Sequence, residues 1–190
     1  VDGSFHVSQP AFRVMKQQSY GRFVFISSTF GAFGQIGTAS YSTAKSALLG
    51  LSNVVALEGA EHGIQSNAVL PVGFSRMVTD QAPDAEVSPG RQAFYDAIRP
   101  ELIAPLVVYL ASRECAVTHR AIAACAGRYS RVFAGYADGW LSEAGTTPHA
   151  EDIAARIAQI DATDGFFVPD SSVDETITVC RQRGVDLRKM

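Results

Sequence analysis

The sequence predicts an α/β fold in which a parallel β-sheet carries helices on both faces. Segments with helical periodicity alternate with short hydrophobic segments, and this order is typical of parallel βαβ units. The short segments are almost continuously apolar, as strands covered on both faces are. Of the 190 residues, 47% are apolar and 18% are charged, which provides enough hydrophobic material for one compact core.

The first four elements are predicted in the order helix, strand, helix, strand. Their ranges are a helix over 4–19, a strand over 22–28, a helix over 40–62 and a strand over 64–72. Each helix is followed by a glycine, Gly21 or Gly63, which commonly ends a helix. Pro10 removes one backbone hydrogen bond within the first helix and predicts a kink there. The two strands are rich in aromatic and branched residues.

The later elements are less regular. Residues 73–99 contain Pro83, Pro89 and Gly90 and predict a loop or lid with short helical pieces. The remaining predictions are a helix over 100–112, a strand over 121–132, a helix over 146–160 and a polar, peripheral segment over the last thirty residues. Because the composition changes beyond Gly139, residues 1–139 are predicted as one domain and residues 140–190 as a carboxyl-terminal extension.

Charge, cysteine spacing and hydropathy exclude several classes of protein. The net charge of -3 is spread without a basic block, so no nucleic-acid partner is expected. The three cysteines contain no CxxC pair, which favours free thiols in a reducing, cytoplasmic compartment. The uncharged stretch 23–44 holds serines, threonines and three glycines, so no membrane span is predicted. Cys115 and His119 are four residues apart, but no second pair completes a metal site.

Three polar residues suggest chemistry. Tyr41 and Lys45 are four apart near the start of the long helix, so their side chains project from one face about one turn apart. An ammonium beside a phenol favours the ionised phenol and makes it a better acid near neutral pH. Ser28 ends the preceding strand, and α/β sheets bind ligands at the carboxyl ends of their strands. A YxxxK match alone is weak, because most such pairs are ordinary surface side chains.

The surrounding arrangement is more specific. A strand ending in Ser27 and Ser28 precedes a loop and the helix that begins near Tyr41, and the run GRFVFISSTFGAFGQIGTASYSTAKSALLGLSNVVALEGAEHGIQSNAVLPVGFSRM follows this pattern throughout. The run resembles the central segment of the short-chain dehydrogenase/reductase family, and the resemblance extends over roughly residues 1–127. It implies a Rossmann-like fold, with this chain matching its carboxyl-terminal part.

The resemblance implies hydride transfer between a carbinol or carbonyl carbon and NAD or NADP. Tyr41 would be the general acid/base, Lys45 would support it and bind the nicotinamide ribose, and Ser28 would orient the substrate oxygen. The turn that touches the nicotinamide end in relatives matches Pro71, Val72, Gly73 and Ser75. Family members also pack the helices matching 4–19 and 40–62 against a second subunit, so a homodimer or homotetramer is expected.

The expected substrate is a bulky, apolar small molecule. SNAVLPVGFSRM and PELIAPLVVYL most resemble the dehydrogenase part of peroxisomal multifunctional β-oxidation enzymes and their bacterial relatives, which oxidise 3-hydroxyacyl-CoA thioesters and sometimes hydroxysteroids. The long tail of this chain departs from ordinary family members. Phe30, Phe33 and Phe74 either line a substrate cavity or fill the core.

The amino-terminal half of the family fold is not found in this sequence. No GxxxGxG or GxGxxG turn is present to receive a pyrophosphate, and the family's catalytic asparagine would precede Val1. The choice between NAD and NADP therefore has no sequence basis. Two hypotheses follow: these residues belong to an oxidoreductase that needs residues beyond them, or they form a catalytically silent Rossmann-like module for oligomerisation or binding.

Overall fold

The computed structural model describes residues 1–75, 87–185 and Leu187. These residues belong to two compact units, Val1–Val132 and Phe133–Met190. The predicted lid lies partly outside the described residues, since 76–86 are not among them. The assignment of 1–139 as a dehydrogenase domain and 140–190 as an extension stays a prediction.

A four-stranded sheet forms the centre of the first unit. Its strands, in spatial order, are β1 (Gly21–Ile26), β2 (Ile64–Val72), β3 (Arg120–Cys125) and β4 (Arg128–Val132). β1, β2 and β3 are parallel, and β4 returns antiparallel to β3. The predicted parallel α/β sheet is confirmed, with one antiparallel strand added at its edge.

Helices cover both faces of this sheet. They are α1 (Asp2–Gln18), α2 (Thr29–Phe33), α3 (Ala39–Gly59), α4 (Pro89–Ala97) and α5 (Ala104–Ala111), with 3-10 turns at Ala60–His62 and Pro100–Leu102. Side chains alternate along β1, so Phe23 and Phe25 pack with α1 and α3, whereas Val24 packs with Leu110 of α5 on the opposite face. Both hydrophobic cores therefore share one sheet.

Three predictions about the first unit need correction. The loop after Ser28 contains the short helix α2. The helix predicted from Pro100 begins as a 3-10 turn. The single strand predicted over 121–132 is a hairpin, because Ala126 (φ 48°) and Gly127 (φ 78°) form a left-handed turn that reverses the chain.

Over its described residues, the second unit contains two short strands and two helices. They are β5 (Tyr136–Ala137), α6 (Ala150–Ile160), β6 (Phe166–Phe167) and α7 (Ser172–Gln182), with β5 and β6 antiparallel. α6 begins later than predicted, and in its first turn the Asp152 carboxylate accepts the His149 amide hydrogen at 2.9 Å. The sequence did not predict α7, whose first turn is capped by the Ser171 hydroxyl.

Candidate active site

The carboxyl ends of β1, β2 and β3 meet at one edge of the sheet. Ile26 is level with Val69, and three residues later Val72 is level with Cys125. Ser28 follows the end of β1, while the predicted nicotinamide turn, 71–75, includes the end of β2. Strand pairing therefore brings two segments that are far apart in the sequence to one edge, where parallel α/β sheets bind ligands.

Ser28 is oriented by the short helix α2. It is the N-cap residue of α2, and its Oγ accepts a hydrogen bond from the Phe30 amide at 3.1 Å. Its side chain is largely buried, with 7% exposed. Because Oγ accepts this amide hydrogen, the hydroxyl hydrogen remains to be donated, as substrate orientation requires.

Tyr41 and Lys45 occupy the first two turns of α3. The Lys45 ammonium lies 5.7 Å from the centre of the Tyr41 ring, which is about half exposed. Lys45 Nζ also donates a 2.8 Å hydrogen bond to the carbonyl oxygen of Ile26. This carbonyl points away from β2, because the amide of the same peptide plane, Ser27 N–H, bonds to Val69. The ammonium therefore lies at the free edge of β1.

Two residues that the sequence analysis did not single out connect Ser28 to α3. Ser27, 2% exposed, donates a 2.7 Å hydrogen bond from Oγ to the carbonyl oxygen of Lys45. Gly31 packs so closely on α3 that a Cβ there would lie 2.7 Å from the Lys45 carbonyl carbon and the Ser46 nitrogen. The three closely spaced glycines over 31–37 indicate that the backbone can approach another element here, but their spacing does not identify α3 as that element.

The turn after β2 is supported from the side of α4 and α5. The Phe74 amide donates a 2.8 Å hydrogen bond to the carbonyl of Ile98, just after α4. A Cβ at Gly73 would lie 2.8 Å from Cδ1 of Ile103, so the turn also approaches the start of α5 closely. Pro71 and Val72 are held by pairing with β3, and Ser75 is exposed. The turn is therefore anchored at both ends.

The three phenylalanines proposed for a cavity lie in different surroundings. Phe30 meets the Tyr41 ring edge to face, with ring centres 6.1 Å apart. Phe33 is 74% exposed, so it is not part of the core. Phe74 packs against Tyr95 of α4 at 4.4 Å. Only Phe30 of the three contacts a predicted catalytic side chain in the described structure.

The site offers hydroxyl, phenol and ammonium groups. Across the described ranges 1–75 and 87–185 there is no cluster of three potential metal ligands, and no helix there is long and apolar enough to cross a membrane. Cys115, Cys125 and Cys180 are free thiols. A hydroxyl donor beside a phenol and an ammonium can hold a carbonyl or alcohol oxygen and exchange one proton with it.

Comparisons with known proteins agree on one family. A family model described as short chain dehydrogenase matches residues 1–86. A short-chain type dehydrogenase/reductase of Mycobacterium tuberculosis is 37% identical over 158 residues, covering 83% of this chain and 52% of that protein. An acetoacetyl-CoA reductase of Shinella zoogloeoides is 36% identical over 136 residues, covering 67% and 54%.

A solved structure is similar over nearly the whole chain. The full-length peroxisomal multifunctional enzyme type 2 of Drosophila melanogaster superposes with a TM-score of 0.82 and 25% identity, covering 96% of this chain and 32% of that one. The chain spans about half the length of the two bacterial relatives. The similarity to the Drosophila enzyme includes the second unit, for which sequence reasoning identified no function.

Proposed function

Because the chain belongs to the short-chain dehydrogenase/reductase family, we propose that it carries the proton-transfer site of an NAD(P)-dependent oxidoreductase. The observation that supports this is the convergence of Ser28, Tyr41 and Lys45 on one sheet edge, with Ser27 hydrogen-bonded to the backbone of Lys45. The first half of the dinucleotide-binding fold would come from residues outside this sequence.

In the proposed reaction the chain holds the oxygen of a hydroxyl or carbonyl group. Ser28 donates its hydroxyl hydrogen to that oxygen, since its own oxygen already accepts the Phe30 amide. Tyr41 exchanges a proton with the same oxygen as the alcohol and ketone interconvert. Lys45 places its ammonium 5.7 Å from the centre of the phenol ring, beside the group that exchanges the proton.

NAD or NADP, when bound, supplies the hydride acceptor or donor. The residues that would hold its nicotinamide end are Tyr41, Lys45, Pro71, Val72, Gly73 and Ser75. Two observations support the fit of these residues to the nicotinamide ribose. Tyr41 is exposed, and the Lys45 ammonium lies at the open edge of β1, where ribose hydroxyls can replace the Ile26 carbonyl as its hydrogen-bond acceptor. The 190 residues contain no glycine-rich turn for the pyrophosphate, so they fit only this half of the cofactor.

The proposed substrate is a 3-hydroxyacyl-CoA, with a hydroxysteroid as the alternative. An acetoacetyl-CoA reductase among the relatives supports the thioester. Apolar and aromatic side chains beside the site, Phe30, Phe74 and Tyr95, also suit an acyl chain better than a sugar. The proposed compartment is the cytoplasm, because the described structure contains three free thiols.

A silent module is the second candidate function. It is favoured by the missing phosphate-binding turn and by exposed apolar side chains on the outer helices, such as Phe5 of α1 and Val54 and Leu57 of α3, which are 48%, 50% and 47% exposed. The same surface supports the expected homo-oligomer of the enzyme. Sedimentation of the chain, with Val54→Lys as a comparison, measures association separately from catalysis.

The experiment uses a hybrid in which the residues of the M. tuberculosis relative that precede its match to this chain are placed before Val1. NAD(H)- and NADP(H)-linked turnover is measured with 3-hydroxybutyryl-CoA, a hydroxysteroid and a polyol. Tyr41→Phe removes the proton donor and should lower turnover about a thousandfold, and Ser28→Ala should lower it strongly at nearly unchanged cofactor affinity. Tyr20→Phe, at the opposite end of β1, is the control.

Two results would contradict the proposal. Near-native turnover of the Tyr41→Phe hybrid would exclude Tyr41 as the acid/base. Better efficiency with the polyol than with the thioester or the steroid would exclude the proposed substrate class. A folded hybrid that binds cofactor but transfers no hydride to any of the three substrates would favour the silent module.

A further inference from the structure

Two exposed arginines lie at the edge of the sheet that carries the candidate active site. Arg99 stands between α4 and the Pro100–Leu102 turn, and Arg128 is the first residue of β4. In the part of the chain that the structure describes, neither guanidinium has a carboxylate partner or a side-chain hydrogen bond. Unpaired guanidinium groups beside a ligand site are suited to bind phosphate.

The hairpin places Arg128 at this edge. Arg128 pairs with Cys125, which is level with Val72 at the end of β2. Side chains alternate along β4, so Arg128 lies on the same face of the sheet as Val132, which packs in the core beneath α3. Arg128 therefore lies on the face covered by the helix that carries Tyr41 and Lys45.

Hydrogen bonds hold the Arg99 backbone near the same edge. Its carbonyl accepts the Leu102 amide at 3.0 Å, and the carbonyl of Leu102 accepts the hydroxyl of Tyr129 at 2.6 Å. Tyr129 follows Arg128 on β4. The preceding residue, Ile98, binds the amide of Phe74 in the turn after β2. Arg99 is thus connected to both β4 and the predicted nicotinamide turn. Because Tyr129 alternates with Arg128 along β4, this connection is made on the face opposite Arg128, and the two arginines approach the end of the sheet from its two faces.

The separation between Arg128 on β4 and Ser28 after β1 matches the length of the pantetheine arm of coenzyme A. β4 is three strands from β1, which corresponds to roughly 14 Å at about 4.8 Å per strand. The pantetheine arm between a thioester and the pyrophosphate contains about a dozen backbone bonds and spans roughly 15 Å when extended. A thioester near Ser28 and Tyr41 whose arm extends across the ends of β2 and β3 would place its phosphates near β4.

We propose that Arg128, with Arg99, binds the phosphate groups of the coenzyme A portion of the substrate. The inference rests on the proposed function, since it assumes a 3-hydroxyacyl-CoA, and it favours the thioester over a hydroxysteroid, which carries no phosphate. Arg128 and Arg99 are specificity-determining residues in this proposal and take no part in proton transfer.

The test is calorimetric titration of the full 190-residue chain at low salt with coenzyme A, inorganic pyrophosphate and pantetheine. Arg128→Gln should weaken coenzyme A binding about tenfold, and Arg99→Gln several-fold, because each removes charge-assisted hydrogen bonds to phosphate. Added salt should weaken the binding of the unmodified chain. Arg113→Gln is the matched control, since this exposed arginine stacks on Tyr20 before β1 at the opposite end of the sheet.

Each outcome supports or overturns the inference. No coenzyme A binding at millimolar concentration, equal loss in Arg113→Gln, or pyrophosphate binding as tight as coenzyme A would overturn it. Circular dichroism of each variant checks that the fold is intact. In the hybrid enzyme, the KM for 3-hydroxybutyryl-CoA should rise in Arg128→Gln while kcat is unchanged. If the Arg128→Gln hybrid turns over the thioester with an unchanged KM, the arginine site is refuted and the proposed function stands. If coenzyme A binding depends on the arginines but the hybrid transfers no hydride, the proposed function is refuted and the arginine site stands.

Discussion

The contact between α2 and α3 at Gly31 leads to a specific prediction for stability. In Gly31→Ala, the added methyl group would lie 2.7 Å from the Lys45 carbonyl carbon and from the Ser46 nitrogen, and 2.8 Å from Lys45 Cβ. Two of these three atoms belong to the backbone of a helix interior, so they cannot rotate away. One helix must shift instead, by about 0.7 Å if the contact is to reach 3.4 Å.

The expected cost follows from two opposing effects. Overpacking of this kind destabilises a protein by about 1–3 kcal/mol. Replacing a helical glycine by alanine recovers up to about 1 kcal/mol of helix propensity. The net expectation for Gly31→Ala is a loss of about 1–2 kcal/mol in the free energy of unfolding. Because Ser28 caps α2 and Gly31 packs α2 against α3, a shift between the two helices should also move Ser28 and lower turnover in the hybrid enzyme.

Gly50→Ala provides a matched control. Gly50 lies within α3, and a Cβ there would have no neighbour within 4 Å, so only the propensity gain of about 0.5–1 kcal/mol applies. Urea unfolding followed by circular dichroism at 222 nm compares the two variants with the unmodified chain. Gly31→Ala should have the lowest midpoint and Gly50→Ala the highest. Equal midpoints for the two variants would refute the close contact at Lys45.

Three further predictions concern a buried polar pair, a turn and the cofactor. Ser52→Ala breaks the 3.0 Å bond between the buried hydroxyls of Ser52 and Ser66, and should lower the unfolding free energy by about 1–2 kcal/mol; a neutral effect in urea would show that Ser66 finds another partner. Gly127→Ala introduces strain at a positive φ but meets no neighbour, so the same assay should register a loss of about 1 kcal/mol, and a loss above about 3 kcal/mol would contradict the open turn. The 190-residue chain should bind NAD(H) and NADP(H) more weakly than about millimolar, because it lacks the pyrophosphate turn and β1 is an edge strand; micromolar affinity by calorimetry would contradict this.

Several features of this protein are determined by local sequence. The strand over 64–72 was predicted with its observed bounds, because Gly63 ends a helix in the left-handed region and the run that follows is apolar. The spacing of Tyr41 and Lys45 places them on one face of any helix that contains both. The alternation of helices and strands identifies the α/β class, since that periodicity needs no knowledge of distant contacts.

Other features depend on contacts between distant residues, and only the tertiary structure decided them. The five-residue α2 is too short for its periodicity to be recognised, and its position depends on the absence of a side chain at Gly31, next to Lys45. The hairpin of β3 and β4 turns at Ala126 and Gly127. The pair Ala-Gly is not among the dipeptides that strongly favour a hairpin turn, such as Asn-Gly or Asp-Gly. The placement of Arg128 level with the end of β2, with β3 between them, follows from strand order, and both hydrophobic cores pack against this one sheet.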